Sequence, residues 1–529
     1  MNITRRSFIK NTAALSAVPM SLSLTGCDAS TTPFAHGVAS GDPLSDRVII
    51  WTRVSLPQEL LDKIDLSTFN LEVRWQVALD PTFDTVMNEG IVVTNAEKDF
   101  TVKKDVMGLE EKTYYYFRFI VETPDQSFTS TIGRTKTLPE FDVSRVKIAF
   151  TSCSHFSYGY FNVYARMAEI QDIDVVLHLG DYLYEYGNKD IYRNHFLRNR
   201  KVLPEGEMIS LNDYRLRHAT YKTDQDLQLL HASHPMICIW DDHEFANDTW
   251  KHGAQNHNDG EGSWKERCAA AIKAYYEWMP IREPSQGDRQ KAYRQFRFGK
   301  LVELNMLDTR FIGRDKQLTF KDAAIDDQDR SLLGVEQEEW LYHNLLNAQQ
   351  DGVKWKLMGQ QVQVLQTKIF GKFVNADAWD GYPAARNRLL DHIVNYDIDN
   401  VIFLTGDVHS SWAADICHNP YDWREYNPIT HNGAVAVELV TSSVTSPSIP
   451  VPGIQQIVGD AAKVLRLENP HIRYVDVKNR GFVTLTITES EAIADWHHVP
   501  FVGFVNNNVF IDRSFKIKDG EPKLIKYKR

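Results

Sequence analysis

Four apolar runs, each stopping at residues able to bind metal or move protons, constrain this chain more than any other feature. Asp172-Ile-Asp-Val-Val-Leu-His178 leads into Leu179-Gly-Asp181-Tyr-Leu-Tyr184. Val146-Lys-Ile-Ala-Phe-Thr-Ser-Cys153, Pro235-Met-Ile-Cys-Ile-Trp-Asp-Asp-His-Glu244 and Asn400-Val-Ile-Phe-Leu-Thr-Gly-Asp-Val-His409 end in the same way. A short apolar run bounded by polar turn residues reads as a buried strand of a parallel sheet covered on both faces. Ligands of open α/β sheets collect beyond the carboxyl ends of such strands. Asp and His also serve as turn formers and helix caps, so one such ending carries little weight, whereas four point to a site. Gly180 allows backbone to pack close behind Asp181, which makes Asp181 the first metal-ligand candidate.

At 529 residues the chain exceeds the roughly 250 to 300 residues at which one core stops growing, so at least two domains are expected. A net charge of −11 argues against a nucleic-acid-binding scaffold, which needs concentrated Lys and Arg. It does not argue against an anionic substrate, because bound cations dominate the field around them. The beginning reads as an address. Thr4-Arg-Arg-Ser-Phe-Ile-Lys10 precedes a modestly apolar stretch over residues 12–25, too short to span a bilayer comfortably, and resembles a twin-arginine export signal. Leu24-Thr-Gly-Cys27 resembles a bacterial lipobox, with Cys27 the lipidated first residue of the mature protein. Cleavage without lipidation and an uncleaved apolar start are the alternatives. The expected partner in export is the twin-arginine translocase, and the expected location is the periplasm or, through a lipid on Cys27, the membrane surface at the cell envelope. Residues 1–27 are therefore set aside from the fold.

Residues 28–140 predict a β-sandwich of immunoglobulin or fibronectin III type. Asp46-Arg-Val-Ile-Ile-Trp-Thr-Arg53, Leu71-Glu-Val-Arg-Trp-Gln-Val77 and Thr113-Tyr-Tyr-Tyr-Phe-Arg-Phe-Ile120 are rich in β-branched and aromatic residues, with no long amphipathic helix between them. Gly108 and Leu109 followed by Tyr114 and Tyr116 suggest a tyrosine corner, and Ser40-Gly-Asp-Pro43 reads as a turn. Beyond a linker at 141–145, strands alternate with helical stretches through to residue 529, too many for one small sheet. The expectation is an α/β unit of two β-sheets packed between helices, ending in one basic terminal strand from Asp512. Of the five cysteines, Cys238 and Cys268 read as core residues, Cys417 is undetermined, and Cys153 alone falls at the suspected site, where it reads as a thiolate ligand.

Ser152-Cys153, Gly180-Asp-Tyr-Leu-Tyr184, Asp241-Asp-His-Glu244 and Gly406-Asp-Val-His409 resemble the motifs of the PhoD-like alkaline phosphatase and phospholipase D family, within the metallophosphoesterase superfamily. Phe34-Ala-His-Gly-Val-Ala-Ser-Gly-Asp42, Leu307-Asp-Thr-Arg310, Ala378-Trp-Asp-Gly-Tyr-Pro383 and Ala494-Asp-Trp-His497 extend the likeness over nearly the whole mature chain. The resemblance implies a metallophosphoesterase-like double β-sheet sandwich flanked by helices, and a cofactor set of one Fe³⁺ and two Ca²⁺, with Mn²⁺ or Zn²⁺ as alternatives. Cys153, Asp181, Tyr184 and His409 would surround the iron, with Asp181 bridging. Asp242, Asp407 and Asn247 would serve the harder ions. Thiolate, phenolate and imidazole beside a carboxylate suit a high-valent transition ion better than Mg²⁺.

His243, with Asp181 and Arg310, is implied in catalysis, His243 as donor to the phosphoryl or leaving oxygen. The bland readings are an ordered buried imidazole for His243, a core phenol for Tyr184 and an inert thiol for Cys153. His155, Tyr158 and Arg310 stand between site support and packing, and His178 reads as structural. The implied chemistry is in-line attack by a metal-activated hydroxide or metal-held oxygen on small phosphomonoesters and phosphodiesters, without a phosphoserine. Ser152 and Ser410 are the alternative nucleophiles, neither with an evident base. A diesterase acting on phospholipid head groups and a noncatalytic phosphate- or metal-binding lipoprotein are the competing functions. A monomer is expected.

Overall fold

The computed structural model describes residues 32–123, 126–189, 193–194, 196–284, 287–448 and 461–528. Residues 1–31, where the export signal and Cys27 were expected, lie outside the described residues. Among those described, no helix is long and apolar enough to cross a membrane.

The four apolar runs become strands because, Lys147 apart, every residue of each strand is buried, leaving only backbone pairing to satisfy its amides. Val146–Thr151, Val175–His178 and Met236–Cys238 pair in parallel. They form the centre of a ten-stranded sheet that continues through Arg480–Ile487, Glu491–Val499, Phe510–Lys518 and Glu521–Lys526 on one side. The fourth run, Val401–Thr405, lies in a seven-stranded sheet between Trp355–Gln360 and Ala436–Val440, parallel to both. Ile148, Val176 and Ile237 from the first sheet share one core with Leu304, Leu357, Ile402 and Leu439 from the second. The outer face of the second sheet is covered by helices Val335–Gln350 and Pro383–Asn395, whose Leu341, Leu345, Leu389 and Leu390 pack with Met358 and Phe403. This is the expected double-sheet sandwich. The C-terminal expectation of one strand is corrected to a hairpin, Phe510–Lys518 with Glu521–Lys526, turning at Gly520 with φ of 69°.

The N-terminal β-sandwich shares a sheet with the rest. Its own five-stranded sheet holds Val86–Thr94, Leu71–Ala78, Tyr114–Glu122 and Ser127–Thr129, with Gly133–Lys136 on Tyr114–Glu122. The facing layer, Val38–Gly41, Arg47–Arg53 and Thr101–Met107, is the far end of the ten-stranded sheet. Val38, Val48, Ile50, Val102 and Val106 pack there against Val73, Trp75, Phe117 and Phe119. The join is Gly41, paired in parallel with Met236, where a side chain would lie 2.3 Å from the Pro280 carbonyl. The reading of Ser40-Gly-Asp-Pro43 as a plain turn is therefore corrected. Ser40 and Gly41 are strand, and Asp42 is a fully buried carboxylate paired with Arg294 at 2.7 Å. The tyrosine corner is also corrected. Tyr115, not Tyr114 or Tyr116, is buried, and its hydroxyl accepts the Glu110 N–H at 2.8 Å, as strand alternation requires of the residue facing the core.

One buried acid in the second sheet's cover makes stability depend on pH. Asp380 accepts the Thr367 N–H through Oδ2, leaves Oδ1 without a partner, and is pushed by burial up to about 7. The folded chain keeps this proton where the unfolded chain has lost it, so stability is lost as pH rises from the ordinary carboxyl range toward 7. Asp380→Asn, which copies the protonated shape, is expected to flatten that decline in a series of Tm measurements from pH 4.5 to 7.5. An unchanged slope would show that Asp380 does not cause it.

Candidate metal centre and active site

The carboxyl ends of both sheets meet at one place. From the first sheet come Cys153, Asp181, Asp241, Asp242 and His243, each within a few residues of a strand end. From the second come Arg310 after Val302–Met306, and Asp407 and His409 after Val401–Thr405. Cys153, Asp181, Asp407 and His409 all hold left-handed backbone, with φ of 62°, 53°, 59° and 54°. Residues with a Cβ adopt that region at a cost, and such costs cluster at ligand-holding sites. The surrounding backbone pins them. The Cys153 N–H donates to Gly180 O at 3.1 Å and the Ser154 N–H to Asp181 O at 2.8 Å. Glu244 accepts the N–H groups of Asp181, Tyr182 and Asp241 at 3.0, 2.6 and 2.7 Å. Gly180, at φ of 101°, is obligatory because a Cβ would lie 2.3 Å from that of Asp241.

Three groups of ligand atoms lie each within 4.8 Å of one another: Cys153, Asp181 and His409; Asp181, Asp242 and His243; Asp241, Asp242 and Asp407. Asp181 belongs to the first two and Asp242 to the last two, so the groups form a chain. Tyr184 closes the first, its hydroxyl donating to Asp181 Oδ2 at 2.8 Å and standing 3.1 Å from His409 Nε2. His409 Nδ1 lies 2.8 Å from Pro447 O, which leaves Nε2 facing the group. Asn247 is tied to the neighbourhood by its backbone, N–H donating to Glu185 Oε1 at 2.8 Å, with Nδ2 donating to Gln255 Oε1 at 3.0 Å.

The electrostatics are those of a site short of positive charge. Arg310, fully buried, bonds Asp241 and lies 2.6 Å from Asp407 and 3.6 Å from Asp242, with Asp377 on its other nitrogen. One guanidinium does not balance these acids. Burial, reinforced by Asp377, Asp242 and Asp181, pushes Asp407 up to about 8 against the pull of Arg310. Burial opposes ionisation of Asp181 too, but His243 and His409 outweigh it and hold that carboxyl down at about 2. Burial, then the Asp181 charge, pushes the Cys153 thiol and the Tyr184 phenol well up. Asp181 Oδ1 and Asp241 Oδ2 are buried with no hydrogen-bond partner. Unpaired buried carboxylate oxygens beside a sulfur, a phenol and an imidazole nitrogen are the donor set a cation would satisfy.

His243, in the second of these groups, has its ring 4.2 Å from that of Tyr184. Its Nδ1 donates to Glu185 Oε2 at 2.6 Å, which leaves Nε2 as the working nitrogen. Burial would lower its pKa, but Glu185, Asp181 and Asp242 raise it well above the ordinary imidazole value, which favours the protonated, proton-donating ring. The serines have no such equipment. Ser152 Oγ accepts from Cys153 Sγ at 3.0 Å, and Ser410 Oγ donates to Val408 O while accepting from Trp412 Nε1. His155 lies against Tyr184 with ring centres 4.7 Å apart, and His178 turns away to Tyr164 Oη at 2.8 Å. Sequence reasoning missed Glu185 and Asp377. Glu185 carried a signal, standing directly after Tyr184; Asp377 had none beyond preceding the Ala378-Trp-Asp-Gly-Tyr-Pro383 stretch.

Two stacked mixed sheets with acids, imidazoles and a thiol at their shared carboxyl end define a metallophosphoesterase-like hydrolase. The comparisons with known proteins agree. Residues 148–496 match the PhoD-like phosphatase family and residues 21–139 match the PhoD-like phosphatase N-terminal domain. Alkaline phosphatase D of Bacillus subtilis (strain 168) is 34% identical over 520 residues, covering 94% of this chain and 85% of the relative. A solved structure of PhoD superposes with a TM-score of 0.81 at 33% identity, covering 94% of this chain and 92% of that one. The chain belongs to the PhoD-like phosphatase family and is a hydrolase of the alkaline phosphatase type.

Proposed function

We propose that this phosphatase is exported, metal-dependent and active on small phosphomonoesters and phosphodiesters. The observation that carries the metal dependence is Asp181, whose Oδ1 is buried without a partner while the residue belongs to two ligand groups at once. Cys153, Asp181, Tyr184 and His409 would hold the transition ion, Fe³⁺, with Asp242, Asp407 and Asn247 serving Ca²⁺. Held there, such cations would supply charge that neutralises phosphoryl oxygens and would lower the pKa of a water. The chain's own contributions are distinct. His243, charged and oriented by Glu185, donates a proton or hydrogen bond through Nε2 to the phosphoryl or leaving oxygen. Arg310 holds Asp241, Asp242, Asp377 and Asp407 at fixed spacing. It is a positioning residue in this reading, because all its charge is spent on carboxylates.

The chain divides, in this reading, into an export signal with lipobox at 1–27, the β-sandwich at 28–140 and the catalytic unit at 141–529. The spans of the two family matches support that division. The test compares p-nitrophenyl phosphate with its bis ester, with calcium present and after chelation, alongside elemental analysis of the folded protein. Turnover of both esters, lost on chelation and restored by calcium, with iron and about twice as much calcium, is the expected result. Turnover of the diester alone would narrow the substrate class, and undiminished turnover in the metal-stripped protein would overturn the reading.

A further inference from the structure

A second set of ligand types converges where the two sheets meet near the C-terminus, sharing no residue with the groups around Asp181. Asp476 ends the strand Ile472–Asp476 of the seven-stranded sheet, whereas His498 and Asp512 belong to Glu491–Val499 and Phe510–Lys518 of the ten-stranded sheet. One ligand atom from each lies within 4.8 Å of the other two. Chance crowding is a poor account of this trio, because the backbone deviates to create it. Trp496 pairs with Arg513 and His497 with Ile511, so Asp512 is the extra residue of a β-bulge. A bulge turns its side chain out of the regular alternation and commonly serves to re-aim it.

His498 carries the independent indication. The residue is fully buried, its Nε2 lies 3.0 Å from Ser411 Oγ, and its Nδ1 has no partner at all. The direction of that nitrogen follows from Gly481, where a Cβ would lie 3.0 Å from His498 Cδ2. The Cδ2 edge thus faces the strand Arg480–Ile487, and the opposite edge, bearing Nδ1, faces the other neighbour, the strand of Asp512. With Nε2 engaged by Ser411, which itself pairs with Asp476, Nδ1 is the ring nitrogen left free to take a cation, and a hydrogen bond at one nitrogen is what orients a metal-binding imidazole. The carboxylates are oriented too. Asp512 Oδ2 accepts from Tyr474 Oη at 2.6 Å, and Asp476 accepts the N–H groups of Lys478 and Asn479 at 3.0 and 2.8 Å.

We propose that Asp476, His498 and Asp512 form a structural site for a divalent transition cation, zinc by preference, that ties the two sheets together. One imidazole nitrogen with two carboxylates suits zinc, whereas Ca²⁺ and Mg²⁺ favour oxygen alone. Asp512 is exposed, so solvent reaches the trio and can complete the shell.

The test uses the full chain with its catalytic metals in place, equilibrated with zinc and freed of excess before elemental analysis and thermal unfolding. The wild type is expected to hold one zinc more per chain than Asp512→Ala and Asp476→Asn, and to gain about 2 °C in Tm with zinc that neither variant gains. Hydrolysis of p-nitrophenyl phosphate by Asp512→Ala should match the wild type. Zinc entering the catalytic centre would appear equally in all three proteins and cancel in the comparison. Equal zinc content in wild type and both variants, or a Tm gain that survives both substitutions, would overturn the proposal.

Discussion

Asp181→Asn is expected to lower turnover of p-nitrophenyl phosphate about a thousand-fold, ~4 kcal/mol of transition-state stabilisation, while the chain stays folded. The size follows from position. Asp181 alone belongs to both the group with Cys153 and His409 and the group with Asp242 and His243. An amide keeps the volume but offers one neutral oxygen where two charged ones stood, so both groups lose the anion that binds them to one cation set. Iron and calcium contents should fall together. Ser152→Ala should retain most turnover, because its hydroxyl meets the Cys153 sulfur and no base. A variant at Asp181 that kept its metals and its rate, beside an inactive Ser152→Ala, would replace the metal-centred mechanism with a nucleophilic serine.

The second large effect is expected at His243. His243→Gln should lower kcat by about 10²- to 10⁴-fold, the range of a lost general acid, with metal content unchanged. Glu185→Gln should cost less in rate and move the pH profile. The sign is fixed by charge. Glu185 lies 2.6 Å from Nδ1 and favours the imidazolium, so removing its charge lowers the pKa of His243 and shifts the alkaline limb of kcat to lower pH. A profile that kept its alkaline limb in Glu185→Gln would assign that limb to another group. Loss of bound metal in His243→Gln would make the residue a ligand instead of a donor.

What could be read without the fold was whatever an apolar run and its last residues encode together. Strands at 146–151, 175–178, 236–238 and 401–405 are buried on both faces almost throughout, which demands mostly apolar residues and confines chemistry to their ends. Cys153, Asp181, Asp242, His243, Asp407 and His409 were legible for that reason. Arg310 was legible as a landmark, but its cage of four carboxylates was not, since Asp377 reaches it from a loop sixty-odd residues away. Glu185 went unread because adjacency to Tyr184 says nothing about which way a side chain faces. The tyrosine corner failed at Tyr114 and Tyr116 by one residue, and in a strand one residue exchanges the core for solvent.

Composition and motif spacing determined that this chain builds two covered sheets and sets acids, imidazoles and a thiol at strand ends, because burial and turn chemistry act over a few neighbouring residues. Only the tertiary structure decided that Val38–Gly41 continues the catalytic sheet, that Glu185 meets His243, and that Asp476, His498 and Asp512 meet across a seam. Edge pairing uses backbone groups that every sequence carries, and contacts between distant segments depend on register and twist, which no local stretch of residues specifies.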